Sequence, residues 1–156
     1  IFLESEIGRG STFSFSINFD QGCELTTISE YLYEDSIFVD KKILLVEDNK
    51  INQMITEKML KNKHMLCDTI DNGEEAIQAV RENSYDLVLM DIHLPGINGT
   101  IATQIIREFD SHTSIIALTA ISLNENREML LSYGMNDVIT KPFDPENFYK
   151  IIAQHL

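Results

Sequence analysis

Ile43-Leu44-Leu45-Val46-Glu47-Asp48-Asn49 sets an unbroken aliphatic run directly against two carboxylates, and the reading of this stretch decides the fold. A run this short, followed by a segment of helical period, reads as a strand buried on both faces. Four more runs of the same kind follow: Met65 to Ile70, Tyr85 to Met90, Ser114 to Leu118 and Asp137 to Ile139. The second is interrupted by two polar residues in succession, Asp68 and Thr69, which suits an edge position. Between the runs lie helical stripes: Ile51, Met54, Ile55 and Met59; Ala76, Ile77 and Val80; Ile101 and Ile105; then Phe148, Ile151 and Ile152. Asp71 with Glu74 and Ser122 with Glu125 have capping-box spacing, and Asp144-Pro145 places a cap before a proline at the first helical position. The alternation gives an α/β chain with five βα units. Right-handed crossovers then make a doubly wound five-stranded parallel sheet, whose ligand site lies beyond the carboxyl ends of its strands.

Those ends carry the chemistry. The first strand ends in Glu47-Asp48, the third in Asp91, the fourth in Thr119, and Thr140-Lys141-Pro142 follows the fifth. Three carboxylates converging on one rim repel each other unless a cation joins them. Mg²⁺ fits, since it takes one or two carboxylates together with waters and phosphate oxygens. Asp91 is then placed to attack phosphorus, and Lys141 and the Thr119 hydroxyl to meet the oxygens of the incoming group, leaving an acyl phosphate on Asp91.

Val46-Glu47-Asp48-Asn49, Met90-Asp91-Ile92-His93-Leu94-Pro95 with Gly99, Ala117-Leu118-Thr119-Ala120 and Thr140-Lys141-Pro142-Phe143 resemble, in this order, the signature blocks of two-component receiver domains over residues 41–156. The resemblance implies a flavodoxin-like sheet of order 2-1-3-4-5 and a phosphoacceptor role for Asp91. It also implies direct metal ligation by Asp48, ligation through water by Glu47, a metal contact from the His93 backbone carbonyl, and phosphoryl contacts from Thr119 and Lys141. A cis bond at Lys141-Pro142 goes with it. Where the family often carries an aromatic residue, three positions before its lysine, this chain has Val138. The implied partners are a histidine kinase as donor and a histidine phosphotransfer protein as next carrier, docking beside the helix that begins at Asn49. The other function class in view is a receiver-shaped interaction module that carries no phosphate.

Residues 1–40 read differently. They hold eight acids against one base, Arg9, and from Asp20 to Asp40 no period persists, so 20–40 is expected to be an acidic linker. Thr12 to Phe19 alternates polar and apolar residues, Ile1 to Glu4 is its hairpin partner, and Gly8-Arg9-Gly10-Ser11 supplies the reversal. Leu3 to Phe15 is similar to the last glycine box and closing strands of a histidine-kinase ATP-binding domain, a likeness confined to residues 1–19. The segments that grip adenine and magnesium in that family are absent, so no ATP binding and no kinase active site are expected here. The order of an ATPase end followed by a receiver is that of a hybrid sensor kinase, of which this chain reads as a C-terminal piece. A hairpin alone is marginal, and its phenylalanine face is expected to bury against a second copy or against the receiver.

Composition agrees. The 156 residues include 25 acids and 12 bases, a net charge of −13, which disfavours nucleic acid as a partner. Cys23 and Cys67 have no paired spacing, which points to reducing, cytoplasmic surroundings, and no run of about 18 apolar residues offers a membrane span. His64, His93, His112 and His155 show no ligand spacing and read as surface or loop residues.

Overall fold

The computed structural model describes residues 2–6, 8, 10–16, 35–120 and 123–156, with the side chains of 3, 13 and 123–126 outside that description. The chain divides into two units, Ile1–Leu32 and Tyr33–Leu156.

In the first unit β1 (Phe2–Glu6) pairs antiparallel with β2 (Gly10–Ser14), in a register running from Phe2↔Ser14 to Glu6↔Gly10. The reversal uses Gly8 at φ 85° and Gly10 at φ 94°, conformations that a Cβ would strain. The expected hairpin is therefore present, although β2 stops at Ser14. Phe15 and Ser16 follow outside the ladder, and residues 17–34, with most of the acidic linker, lie outside the described residues.

The second unit contains β3 (Lys42–Val46), α1 (Lys50–Asn62), β4 (Leu66–Ile70), α2 (Gly73–Glu82), β5 (Leu87–Asp91), α3 (Gly99–Arg107), β6 (Ser114–Thr119), α4 (Leu123–Ser132), β7 (Asp137–Thr140) and α5 (Pro145–His155). The parallel sheet has the order β4-β3-β5-β6-β7, which is the expected 2-1-3-4-5, with the polar-interrupted strand β4 at an edge. Alternate side chains of each strand enter opposite cores, as the pleat requires. Leu44, Val46, Val88, Met90, Ile115 and Ala117 pack with Ala76, Ala102, Ile106 and Leu130 from α2, α3 and α4. Ile43, Leu45, Leu87, Leu89, Ile116 and Leu118 pack with Leu60, Phe148 and Ile152 from α1 and α5.

Three local readings change. Of the stripe read on α1 only Met59 packs against the core: Ile51 is 69% exposed, Met54 69% and Ile55 50%, while Gln53, Thr56 and Leu60 turn inward. The Gln53 amide makes this tolerable by donating to the Glu47 carbonyl at 2.7 Å. On α3 the buried residues are Ala102, Thr103 and Ile106, with Ile101 outside; small side chains let that helix approach the sheet, and Thr103 Oγ1 is satisfied by the Gly99 carbonyl at 2.8 Å. The cap of α2 is Asn72, accepting from the Glu75 N–H at 2.8 Å, one residue later than the expected Asp71. Asp71 instead meets Asn72 Nδ2 at 3.0 Å and Lys50 at 3.2 Å, and these two contacts hold its carboxyl below the usual range. Asp144 caps α5 as expected, accepting from the Asn147 N–H at 2.8 Å, whereas the Ser122–Glu125 box lies outside the described residues.

The unit also begins ahead of β3. Asp35–Ile37 forms a single 3₁₀ turn that delivers Phe38, 1% exposed, into the core beside Tyr149, with Asp35 bonded to Lys63 at 2.6 Å. Residues 35–40 are thus folded structure rather than linker. Of the four histidines, His155 stands on α5, half-buried, 3.2 Å from Asp137, and the others lie in loops.

Candidate active site

Parallel strands all end on one side of the sheet, so the acids that close β3 and β5 must share a rim. Glu47 and Asp48 follow Val46 directly, and Asp91 is the last residue of β5. A carboxylate oxygen of Glu47, one of Asp48 and one of Asp91 all lie within 4.8 Å of one another, with Glu47 and Asp91 buried and Asp48 exposed. Lys141, in the turn after β7, ion-pairs with Glu47 Oε2 and, at 2.6 Å, with Asp91 Oδ2. Glu47, Asp48, Asp91 and Lys141, all singled out from sequence, are therefore brought together.

The rest of the rim holds this arrangement in place. The His93 N–H donates to Asp91 Oδ1 at 3.0 Å, so each oxygen of that carboxylate has a donor. Thr119 ends β6, is buried, and its carbonyl accepts from the Lys141 N–H at 2.7 Å, which fixes the turn that presents the lysine. Lys141-Pro142 is cis. Val138, where the resemblance would place an aromatic, is buried within β7. Gly99 starts α3 against the backbone of Asp91: a Cβ there would stand 2.0 Å from the Asp91 carbonyl oxygen, so no other residue fits without moving β5.

The donor chemistry fits a hard divalent cation. The three clustered side chains all offer carboxylate oxygens, and among the described residues the ammonium paired with them is that of Lys141, shared by Glu47 and Asp91, which leaves the rim negative. Thiolate and imidazole, which would favour zinc, are absent from the cluster.

Two polar residues of the site were not legible from sequence. Asn52 donates to Glu47 Oε1 at 2.9 Å, and Gln53 binds the Glu47 carbonyl. The signal that could have found them is an amide pair one turn into the helix that follows the two acids.

Comparison with known proteins agrees with this geometry. Residues 43–153 match the family model described as the response regulator receiver domain, and the chain belongs to that family. It is 34% identical over 152 residues to the autoinducer 2 sensor kinase/phosphatase LuxQ of Vibrio vulnificus, a match covering 96% of this chain and 18% of that protein. Among solved structures it resembles the receiver domain of sensor histidine kinase PA1611 from Pseudomonas aeruginosa, which has a magnesium ion in its active site cleft. The identity is 37% and the TM-score 0.70, over 75% of this chain and 98% of that one. It also resembles the receiver domain of the Saccharomyces cerevisiae response regulator Ssk1, solved with the histidine phosphotransfer protein Ypd1. That match has 31% identity and a TM-score of 0.70, over 76% of this chain and 90% of that one. The chain spans only 7% to 20% of the length of the curated relatives it matches.

Proposed function

We propose that this receiver is a phosphorelay acceptor: it takes a phosphoryl group from a phosphohistidine onto Asp91, in a Mg²⁺-dependent reaction, within a hybrid sensor histidine kinase. The observation that carries the reading is the Lys141 ammonium shared between buried Glu47 and Asp91, with Asp48 on the same rim. In the transfer, the phosphorus–nitrogen bond of the donor breaks as a carboxylate oxygen of Asp91 bonds to phosphorus, the bond's electron pair stays on the ring nitrogen, and the donor imidazole, carrying a proton on its other nitrogen, leaves neutral. Lys141 and the His93 N–H hold the attacking carboxylate from its two oxygens. Holding a nucleophile in one orientation removes entropy that a free carboxylate would lose at the transition state. Lys141 and the Thr119 hydroxyl take up the phosphoryl oxygens. Asp48 and Asp91, with Glu47 through water and the His93 carbonyl, are the residues that would hold Mg²⁺, which when bound neutralises charge on the transferred group.

The exposed apolar face of α1, made by Ile51, Met54 and Ile55 next to the acid rim, is the docking surface for a histidine phosphotransfer protein. The Ypd1–Ssk1 pair supports a partner of this type. The hairpin is the tail of an ATP-binding domain, and residues 20–34 link it to the receiver. The LuxQ match, at 96% of the chain, extends into that region. Among the described residues no helix is long and apolar enough to cross a membrane.

The test is Mg²⁺-dependent transfer from a phosphorylated histidine donor to wild type and to Asp91→Asn. Labelling of the wild type alone is expected, and equal labelling of both would refute the assignment.

A further inference from the structure

Glu47, 1% exposed, is the most enclosed acid of the cluster, and both oxygens of its carboxylate are held. Lys141 pairs with Oε2 and the Asn52 amide donates to Oε1 at 2.9 Å. The main chain of Glu47 is held as well: Gln53 Nε2 donates to its carbonyl at 2.7 Å and reaches the Ile70 carbonyl at 3.4 Å, tying the ends of β3 and β4 together. Both amides stand in the first turn of α1, which is itself fixed by its cap, Asn49 Oδ1 accepting from the Ile51 N–H at 2.9 Å and the Asn52 N–H at 3.3 Å. Cap, helix, amide and carboxylate thus form one chain of contacts. A glutamate has three rotatable side-chain bonds, and a donor on each oxygen leaves it one orientation. Lys141 cannot supply that restraint alone, because it also serves Asp91.

We infer that Asn52 is a positioning residue of the phosphoacceptor site, orienting Glu47 toward the divalent cation. The inference rests on reading the rim as a Mg²⁺ site. Groups that orient metal ligands without touching the metal typically contribute 10- to 100-fold in affinity. Asn52 acts through Glu47, so its effect must vanish when Glu47 is gone, whereas an amide that merely stabilised α1 would matter equally in both backgrounds.

The experiment is calorimetric titration of Mg²⁺ into the full chain as wild type, Asn52→Leu, Glu47→Ala and the double variant, with thermal unfolding in Mg²⁺-free buffer. Asn52→Leu is expected to weaken binding about tenfold or more and to add no further loss on the Glu47→Ala background. Its Mg²⁺-free melting temperature should fall by a few degrees, because a buried oxygen of Glu47 loses its donor, and the comparison on the Glu47→Ala background separates that loss from the effect on the metal. If the leucine substitution prevents folding, Asn52→Ala serves in the same comparison. Unchanged affinity in the single variant, or an equal loss in both backgrounds, would overturn the inference. Absence of Mg²⁺ binding by the wild type would instead refute the reading of the rim on which it rests.

Discussion

The two ends of the parallel sheet use the same residue types to opposite effect. Around its amino end three acids each have their own lysine and stay partly exposed: Asp86 with Lys41 at 3.2 Å, Asp68 with Lys42 at 3.4 Å, Asp35 with Lys63 at 2.6 Å. At its carboxyl end three acids crowd within 4.8 Å of one another, two of them buried, and Lys141 is divided between Glu47 and Asp91. Exposed one-to-one pairs contribute about 0.2–1 kcal/mol each and perform no chemistry. Buried, unbalanced acids cost stability, and they hold a charge deficit that a cation and a phosphoryl group can fill. The difference teaches that charge arithmetic and burial, rather than the presence of acids, mark the site.

The largest effect should come from the amino end. Phe38→Ala removes an aromatic ring from the core beside Tyr149, and urea unfolding should show a loss of about 3–5 kcal/mol while Mg²⁺ affinity of the folded chain is unchanged. A coupled loss of Mg²⁺ binding would break the separation between the two ends. At the carboxyl end the sign should reverse: Asp91→Asn is expected to raise Mg²⁺-free stability by about 1 kcal/mol, because it relieves crowding while Lys141 keeps Glu47. Chemical denaturation without Mg²⁺ measures this directly. Asp86→Asn, the matching change at the amino end, should lower stability by less than about 1 kcal/mol.

Acid sharpens the contrast further. The Lys42 N–H, with help from Lys41 and against partial burial, holds the Asp86 carboxyl below the usual range. Burial opposes ionisation of Asp137, but the Val138 N–H, His155 and Arg127 outweigh it and also lower its carboxyl. A lowered folded-state pKa contributes stability fully above the ordinary value of 3.8 and loses it as pH falls toward the folded value. The stability gap between wild type and Asp137→Asn should therefore shrink as pH falls below about 4. A gap that widens below about pH 4 would contradict the assignment.

How much of this was legible in sequence follows from what periodicity records. Strands buried on both faces announce themselves as unbroken apolar runs, so Ile43–Val46 and its four companions, their edge strand and the acids at their ends could all be read. Period alone shows that α1 has an apolar face and not what covers it. Ile51, Met54 and Ile55 face outward because the inward positions of the first two turns go to Gln53 and Thr56, and the Glu47 carbonyl holds Gln53 there. Phe38, a lone aromatic before the first strand, has no period to reveal it, and Asn52 gains its role only once the Asn49 cap fixes the helix one turn from the acids.

The most direct test of the account is to treat the chain with a small acyl-phosphate donor, with and without Mg²⁺, and to locate the modified residue by peptide mass spectrometry. The account predicts a single phosphoryl group on Asp91 that appears only with Mg²⁺ and is lost in alkali. Modification of another residue, or equal modification without the metal, would contradict it.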